Sequence, residues 1–205
     1  MKKNESVLFP LFSSPLFCIK VDVDNKKILN HLIKLKYRGT SMSDGSFISL
    51  SNKILENKNL KKEKNIFLDN IKKYLEILDY SKGYKIFNSW STKTNINSSS
   101  HLHAHQNSWL SGVYYPECDE GFSISFHRNH LSGSFHRLDY DNQNNIYSCE
   151  QFKVQPNENI LLLFPSEVFH KINKNTSNKV RYSLAFNINP VGLFQKGTDL
   201  EREYN

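Results

Sequence analysis

His103 and His105 stand one residue apart, His170 follows the apolar run Ile160–Phe164, and Arg181-Tyr182-Ser183 comes shortly after. Side chains at i and i+2 of an extended chain point to one face, about 7 Å apart. His103 and His105 can therefore aim into one cavity, and His101 extends the row. A third imidazole from a distant strand would complete a facial set of nitrogen ligands with coordination positions left open. Mononuclear non-haem iron uses such positions for further ligands. The competing reading is ordinary: each histidine is a polar side chain satisfied by its neighbours. The segment 180–188 adds a second element, because Arg181, Ser183, Ala185 and Asn187 share one face of a strand while Tyr182, Leu184, Phe186 and Ile188 share the other. A guanidinium and a hydroxyl two residues apart on a cavity-facing side could grip a carboxylate through a bidentate pair plus one hydrogen bond. Placed instead on an edge strand, Arg181 would be a solvated surface cation.

Strands must carry these groups, and the chain supplies them after Gly83. Leu16–Val23 alternates as an early strand. Asp24 is a plausible N-cap for a helix over 25–37, with Ile28, Leu29, Leu32, Ile33 and Leu35 as its apolar stripe and Gly39 as its stop. Residues 40–52, rich in Ser, Gly and Asp, read as a loop. Ile66, Phe67, Ile71, Tyr74, Leu75 and Leu78 recur at helical spacing and predict a second helix over 62–80. Strands follow at 84–90, 103–115, 121–127, 151–154, 160–164 and 180–188, with 95–100 a polar loop and 128–150 a mobile insertion or long hairpin. The run at 160–164 reads as a strand buried on both faces. Two helices followed by many short strands predict a mainly β (α+β) fold, a jelly roll buttressed on one face by N-terminal helices.

Size and composition permit this and exclude other classes. The 205 residues suit one domain, read as a strand and buttressing helices over 1–83, a jelly-roll core over 84–190 and a C-terminal tail over 191–205. Aromatic residues are 13% of the chain, which favours strands and an aromatic-lined interior. The net charge is +7, and lysines cluster in 53–73, in a helical pattern interleaved with Glu56, Glu63 and Asp69. That is the pattern of a solvated helix face. No zinc-finger spacing, RNP signature or basic glycine-rich tail is present, so nucleic acid is not the expected partner. Cys18, Cys118 and Cys149 are scattered, without a CxxC pair, and fit free thiols in a reducing compartment. Lys2 and Lys3 precede an apolar stretch that Pro10, Pro15, Ser13 and Ser14 interrupt, unlike a signal peptide. No run approaches the length of a membrane span. The expected location is cytoplasmic.

The stretch His103-Ala-His105-Gln-Asn-Ser-Trp-Leu-Ser111-Gly112-Val-Tyr114-Tyr115 resembles the signature of a 2-oxoglutarate/Fe(II) oxygenase family with an HxH metal motif. Leu163-Phe164-Pro165-Ser166, His170 and Arg181-Tyr-Ser183-Leu-Ala-Phe186-Asn187 resemble its C-terminal half. Asn88-Ser89-Trp90 and Leu8-Phe9-Pro10 also fit, in the right order along most of the chain. The resemblance implies a double-stranded β-helix. It implies Fe(II) held at His103 and His170, with His105 standing where the wider superfamily usually carries Asp or Glu. It implies the far carboxylate of the co-substrate 2-oxoglutarate on Arg181, assisted by Ser183. Glu167 occupies a position where an aromatic residue is common, which would alter the cavity mouth. Trp90, Asn107 and Tyr115 are candidate walls of the substrate pocket.

The expected activity is hydroxylation of a small-molecule or peptide substrate, with release of succinate and CO2. One alternative is a three-histidine iron dioxygenase that does without 2-oxoglutarate and leaves Arg181 without this role. Others are a jelly roll that binds metal or a small acid without turnover, and a basic nucleic-acid-binding module. A cupin is excluded, because its acidic ligand follows HxH closely and Glu117 lies too far along. The sequence names neither the substrate nor the oligomeric state.

Overall fold

The computed structural model describes residues 13–41, 43–128 and 145–204. Its helices are α1 (Asn25–Ile33) and α2 (Lys61–Ile77). Its strands are β1 (Phe17–Lys20), β2 (Tyr37–Gly39), β3 (Ser43–Ser49), β4 (Tyr84–Ser100), β5 (Leu110–Tyr115) and β6 (Ile124–His127). They continue with β7 (Gln151–Val154), β8 (Ile160–Pro165), β9 (Phe169–Ile172), β10 (Arg181–Pro190), β11 (Gly192–Phe194) and β12 (Arg202–Tyr204). Among the described residues a seven-stranded sheet has the order β1-β8-β5-β10-β4-β3-β2, and a smaller sheet has the order β7-β6-β9. Each strand pairs antiparallel with its neighbours. This is the jelly roll expected, with α1 and α2 against the outer face of the large sheet.

The alternation of residues on the three central strands divides the core in two. Leu110 and Tyr114 of β5, Leu161 and Leu163 of β8, and Leu184, Phe186 and Ile188 of β10 face the helices, where Phe67, Ile71 and Leu75 of α2 meet them. Val113, Tyr115, Leu162, Phe164 and Ala185 face the other way, toward Ile124 and Phe126 of the small sheet. A strand loaded on both faces must be apolar throughout, which is why 160–164 reads as it does. Gly112 sits opposite Phe186 in the β5–β10 register, and a Cβ there would overlap the Phe186 ring. That ring is stacked on Phe67 at 5.7 Å and is fully buried. Gly112→Ala is therefore expected to cost about 1–3 kcal/mol through overpacking. A lowered urea midpoint would register the cost, and an unchanged midpoint would show that Phe186 can swing aside.

The helices follow the predicted stripes with earlier ends. Asp24 caps α1 by accepting a hydrogen bond from the Lys27 amide at 2.9 Å. The helix ends at Ile33 because Tyr37–Gly39 leaves to pair with β3. α2 ends at Ile77, and Asp79 then takes a left-handed conformation with φ 54°. Lys27 of α1 bonds the buried carboxylate of Glu63 on α2 at 2.9 and 3.1 Å.

Two segments read as loops are strands. Residues 43–49 form β3, and 95–100 belong to the 17-residue β4. Their Ser, Thr and Asn side chains hide the strand pattern, yet the hydroxyls are partnered within the sheet: Ser46 Oγ meets Thr94 Oγ1 at 3.3 Å. Gly45 has φ +73° at the register shift between β3 and β4, and any Cβ on it would strike Ser98. Conversely, the strand predicted over 103–115 starts only at Leu110, with His103 held by an isolated bridge to His170. Residues in the predicted tail pair as the β11–β12 hairpin. Most of the 128–150 segment and all of Leu8-Phe9-Pro10 lie outside the described residues.

Candidate active site

His103, His105 and His170 converge. One ring nitrogen from each lies within 4.8 Å of the others. The ring centroids are 4.5 Å apart for His103–His170, 5.0 Å for His105–His170 and 5.4 Å for His103–His105. His103 and His170 exchange main-chain hydrogen bonds of 3.0 and 2.8 Å, and the His105 amide donates to the Ser166 carbonyl at 2.9 Å. The backbone of β9 and its preceding turn thus fixes all three positions. β9 itself was not foreseen as a strand.

Every ring is oriented through its Nδ1. In His103 this atom meets the His101 carbonyl at 2.9 Å, and in His170 the Val168 carbonyl at 2.9 Å. A carbonyl only accepts, so both Nδ1 atoms carry the proton and both Nε2 lone pairs are free. His105 Nδ1 meets Asn187 Oδ1 at 2.9 Å and Ser111 Oγ at 2.8 Å. Burial lowers His170 to about 3, helped by the neighbouring His103 and His105 and opposed by the Val168 hydrogen bond. Burial and His103 lower His105 to about 4, opposed by the Asn187 hydrogen bond. Both rings are neutral at neutral pH, the form that binds a metal.

The rings open on a cavity of about 230 Å³ that is also lined by Trp90, Thr92, Tyr115, Ser183 and, from β3, Phe47 and Ile48. Trp90 packs edge-on to His105 with centroids 5.4 Å apart. Arg181 is 1% exposed and donates from Nη1 to the Ser123 carbonyl at 3.1 Å. Among the described residues its Nε and Nη2, like the buried Tyr115 hydroxyl, lack a hydrogen bond of good geometry, although the hydroxyl lies close enough to the guanidinium for each to favour the other's charged form. The guanidinium carbon lies 4.6 Å from the Tyr115 ring centroid and 5.8 Å from that of Phe122. Burial pushes this arginine down from its ordinary value, although a guanidinium stays charged in a protein. A buried cation with two orphaned donor groups is incomplete without an anion.

Residues 88–187 match the model of a family described as "Putative 2OG-Fe(II) oxygenase". This stretch is a 2OG-Fe(II) oxygenase domain. The fold agrees. HygX from Streptomyces hygroscopicus, solved with nickel, 2-oxoglutarate and hygromycin B bound, superposes with a TM-score of 0.64 at 9% identity, over 86% of this chain and 83% of that one. SnoK, the alpha-ketoglutarate-dependent carbocyclase of nogalamycin biosynthesis, gives 0.62 at 10% identity, over 87% and 81%. A prolyl hydroxylase from Trichoplax adhaerens, in complex with a hypoxia-inducible-factor peptide fragment, gives 0.55 at 11%, over 85% and 83%. No curated protein sequence matches the chain.

An oxygenase of this kind works with Fe(II) and 2-oxoglutarate, and the residues present fit both. Three converging imidazoles, two of them with a bare Nε2, suit a divalent transition metal, and the unsatisfied Arg181 donors suit a carboxylate. Of the pocket walls expected from sequence, Trp90 and Tyr115 line the cavity and Asn107 does not. The Ser108 amide bonds back to the His105 carbonyl at 3.3 Å, which makes 106–107 a turn and leaves Asn107 exposed. Glu167 is exposed too, and is not among the residues lining the cavity. Sequence reading missed Phe47 and Ile48, because β3 was read as loop, Thr92, because the strand predicted over 84–90 stopped short of it, and the roles of Ser111, Ser166 and Asn187. Asn187 carried a signal: a third polar residue in step with Arg181 and Ser183 on an otherwise apolar strand.

Proposed function

We propose that this oxygenase hydroxylates a small-molecule or peptide substrate, with His103, His105 and His170 holding Fe(II) through Nε2. Arg181 receives the far carboxylate of 2-oxoglutarate, with Ser183 and Tyr115 as supporting donors. When bound, metal and 2-oxoglutarate would let dioxygen act as the oxidant: one of its oxygen atoms ends in succinate as 2-oxoglutarate loses CO2, and the other turns a substrate C–H bond into C–OH. The chain's own residues do the rest. Carbonyls and amide hold the imidazoles in one tautomer, the guanidinium fixes the co-substrate's far end, and Trp90, Phe47 and Ile48 give an apolar wall that excludes water. The observation that carries this reading is the pairing of three converging imidazoles with a buried, donor-rich cation. Tyr115 links the two, since it lines the cavity and packs on Arg181. No helix among the described residues is long and apolar enough to cross a membrane, in keeping with a cytoplasmic enzyme.

Anaerobic addition of Fe(II) and 2-oxoglutarate is expected to produce a weak visible charge-transfer band. Admitting dioxygen without a prime substrate should then release succinate slowly. His170→Ala should lose both signals. A protein that binds Fe(II) but gives neither band nor succinate would instead be a three-histidine enzyme independent of 2-oxoglutarate, or a binder without turnover.

A further inference from the structure

His103 and His170 take their tautomer from main-chain carbonyls, but among the described residues none is hydrogen-bonded to His105 Nδ1. We infer that Asn187 is a positioning residue for the metal centre: its amide oxygen holds His105 as the Nδ1–H tautomer and so presents Nε2 to the metal. The inference rests on the metal-site reading above and extends it to a residue that touches no metal.

Two oxygens face His105 Nδ1, Asn187 Oδ1 at 2.9 Å and Ser111 Oγ at 2.8 Å. Ser111 has one proton, which Asn187 Oδ1 at 3.0 Å or Ser166 Oγ at 2.8 Å can accept. Given to either, it leaves both groups facing Nδ1 as acceptors, so the ring donates. Given to Nδ1 instead, it would leave the Asn187 oxygen facing an unprotonated nitrogen at 2.9 Å. Ser111, Ser166 and Asn187 are 1%, 0% and 7% exposed, where an unmatched polar group is costly and the network has little freedom to invert. The fold delivers the amide deliberately. Asn187 lies opposite Ser111 across β10 and β5, and the β10–β4 register shifts between Asn187 and Ile188. Register shifts of this kind re-aim side chains beside active sites. The same Ser166 whose hydroxyl joins the network accepts the His105 amide through its carbonyl. One cluster therefore sets both the position and the protonation of this ring.

The tautomer is read directly from long-range 1H–15N correlations of the imidazole in metal-free protein at neutral pH. His105 is expected to carry its proton on Nδ1, in Asn187→Asp as well, because a carboxylate also accepts. Asn187→Leu should shift the population toward the Nε2–H form. Co(II) is the second probe. Asn187→Leu is expected to weaken Co(II) binding 10–100-fold and to move its visible bands, while Asn187→Asp stays within about threefold of wild type on the same scale. In a His105→Ala background, Asn187→Leu should cost nothing further. The inference is overturned if wild-type His105 is protonated on Nε2, if Asn187→Asp is as weak as Asn187→Leu, or if Asn187→Leu costs as much without His105 as with it. Failure of the underlying metal reading looks different: the wild type would bind no Co(II), or His103→Ala and His170→Ala would bind it undiminished.

Discussion

Arg181→Met is expected to lose at least about 30-fold in 2-oxoglutarate affinity while leaving the ligand-free protein as stable as the wild type, or more so. The two effects share a cause. Among the described residues Arg181 makes one well-formed hydrogen bond, to the Ser123 carbonyl, and leaves Nε and Nη2 with at best a poorly aligned Tyr115 hydroxyl in a fully buried position. Each unmatched donor costs about 1–3 kcal/mol. The Tyr115 and Phe122 ring faces return about 2 kcal/mol. An incoming carboxylate satisfies both donors and neutralises the charge, so binding recovers what folding left unsatisfied. Truncating one partner of such a buried pair costs about 2–5 kcal/mol of affinity. Methionine fills a similar volume and removes the stranded cation, which in other buried sites is neutral or stabilising. Urea unfolding of the metal-free variant and anaerobic 2-oxoglutarate titration of the Fe(II) form test the two halves. A variant that is much less stable without ligand would make Arg181 a structural cation. An unchanged affinity would place the carboxylate elsewhere. Arg181→Lys should fall between, because an ammonium cannot reproduce the planar fork.

The parts of this molecule that were legible in the sequence are those where one physical demand acts alone. Residues 160–164 had only to be buried on both faces, and their composition says so. The alternation in β10 separates a helix-packed face from a cavity face because those environments differ so strongly. β3 and the distal half of β4 were illegible because Ser and Thr serve turns and sheets alike, and only tertiary pairing tells which. Asn107 failed for a related reason. Counting by twos from His103 and His105 puts it in the cavity, but the hydrogen bond from Ser108 to His105 closes a turn and ends the count. Asn187 stood out as a polar residue in step with Arg181 and Ser183, but its role was illegible, since it depends on β5, β10 and the turns at His105 and Ser166 bringing four side chains within hydrogen-bonding distance.

The convergence of imidazoles also gives the metal-free protein a pH-dependent stability. His105 and His170 take up a proton in the unfolded chain near the ordinary 6.5, but in the folded protein only near about 4 and about 3. Between these values the unfolded state binds more protons than the folded one, so stability rises with pH. The contribution is fully present above the unfolded value and is lost as pH falls from about 6.5 toward 4. Going from pH 7.5 to 5.5 therefore removes about 1.4 kcal/mol for each ring, or roughly 3 kcal/mol for the pair. Urea unfolding of metal-free protein at the two pH values should show that loss. His170→Gln, which cannot titrate, should abolish about half of it, and His105→Gln the other half. Should His170→Gln retain the whole dependence, the neutral ring buried beneath Phe164 and Phe126 is not its source. Divalent metal added at pH 7.5 should stabilise the folded state further, since only that state assembles three bare nitrogens. This gain should shrink through the same acid window as protons compete for the ligand atoms.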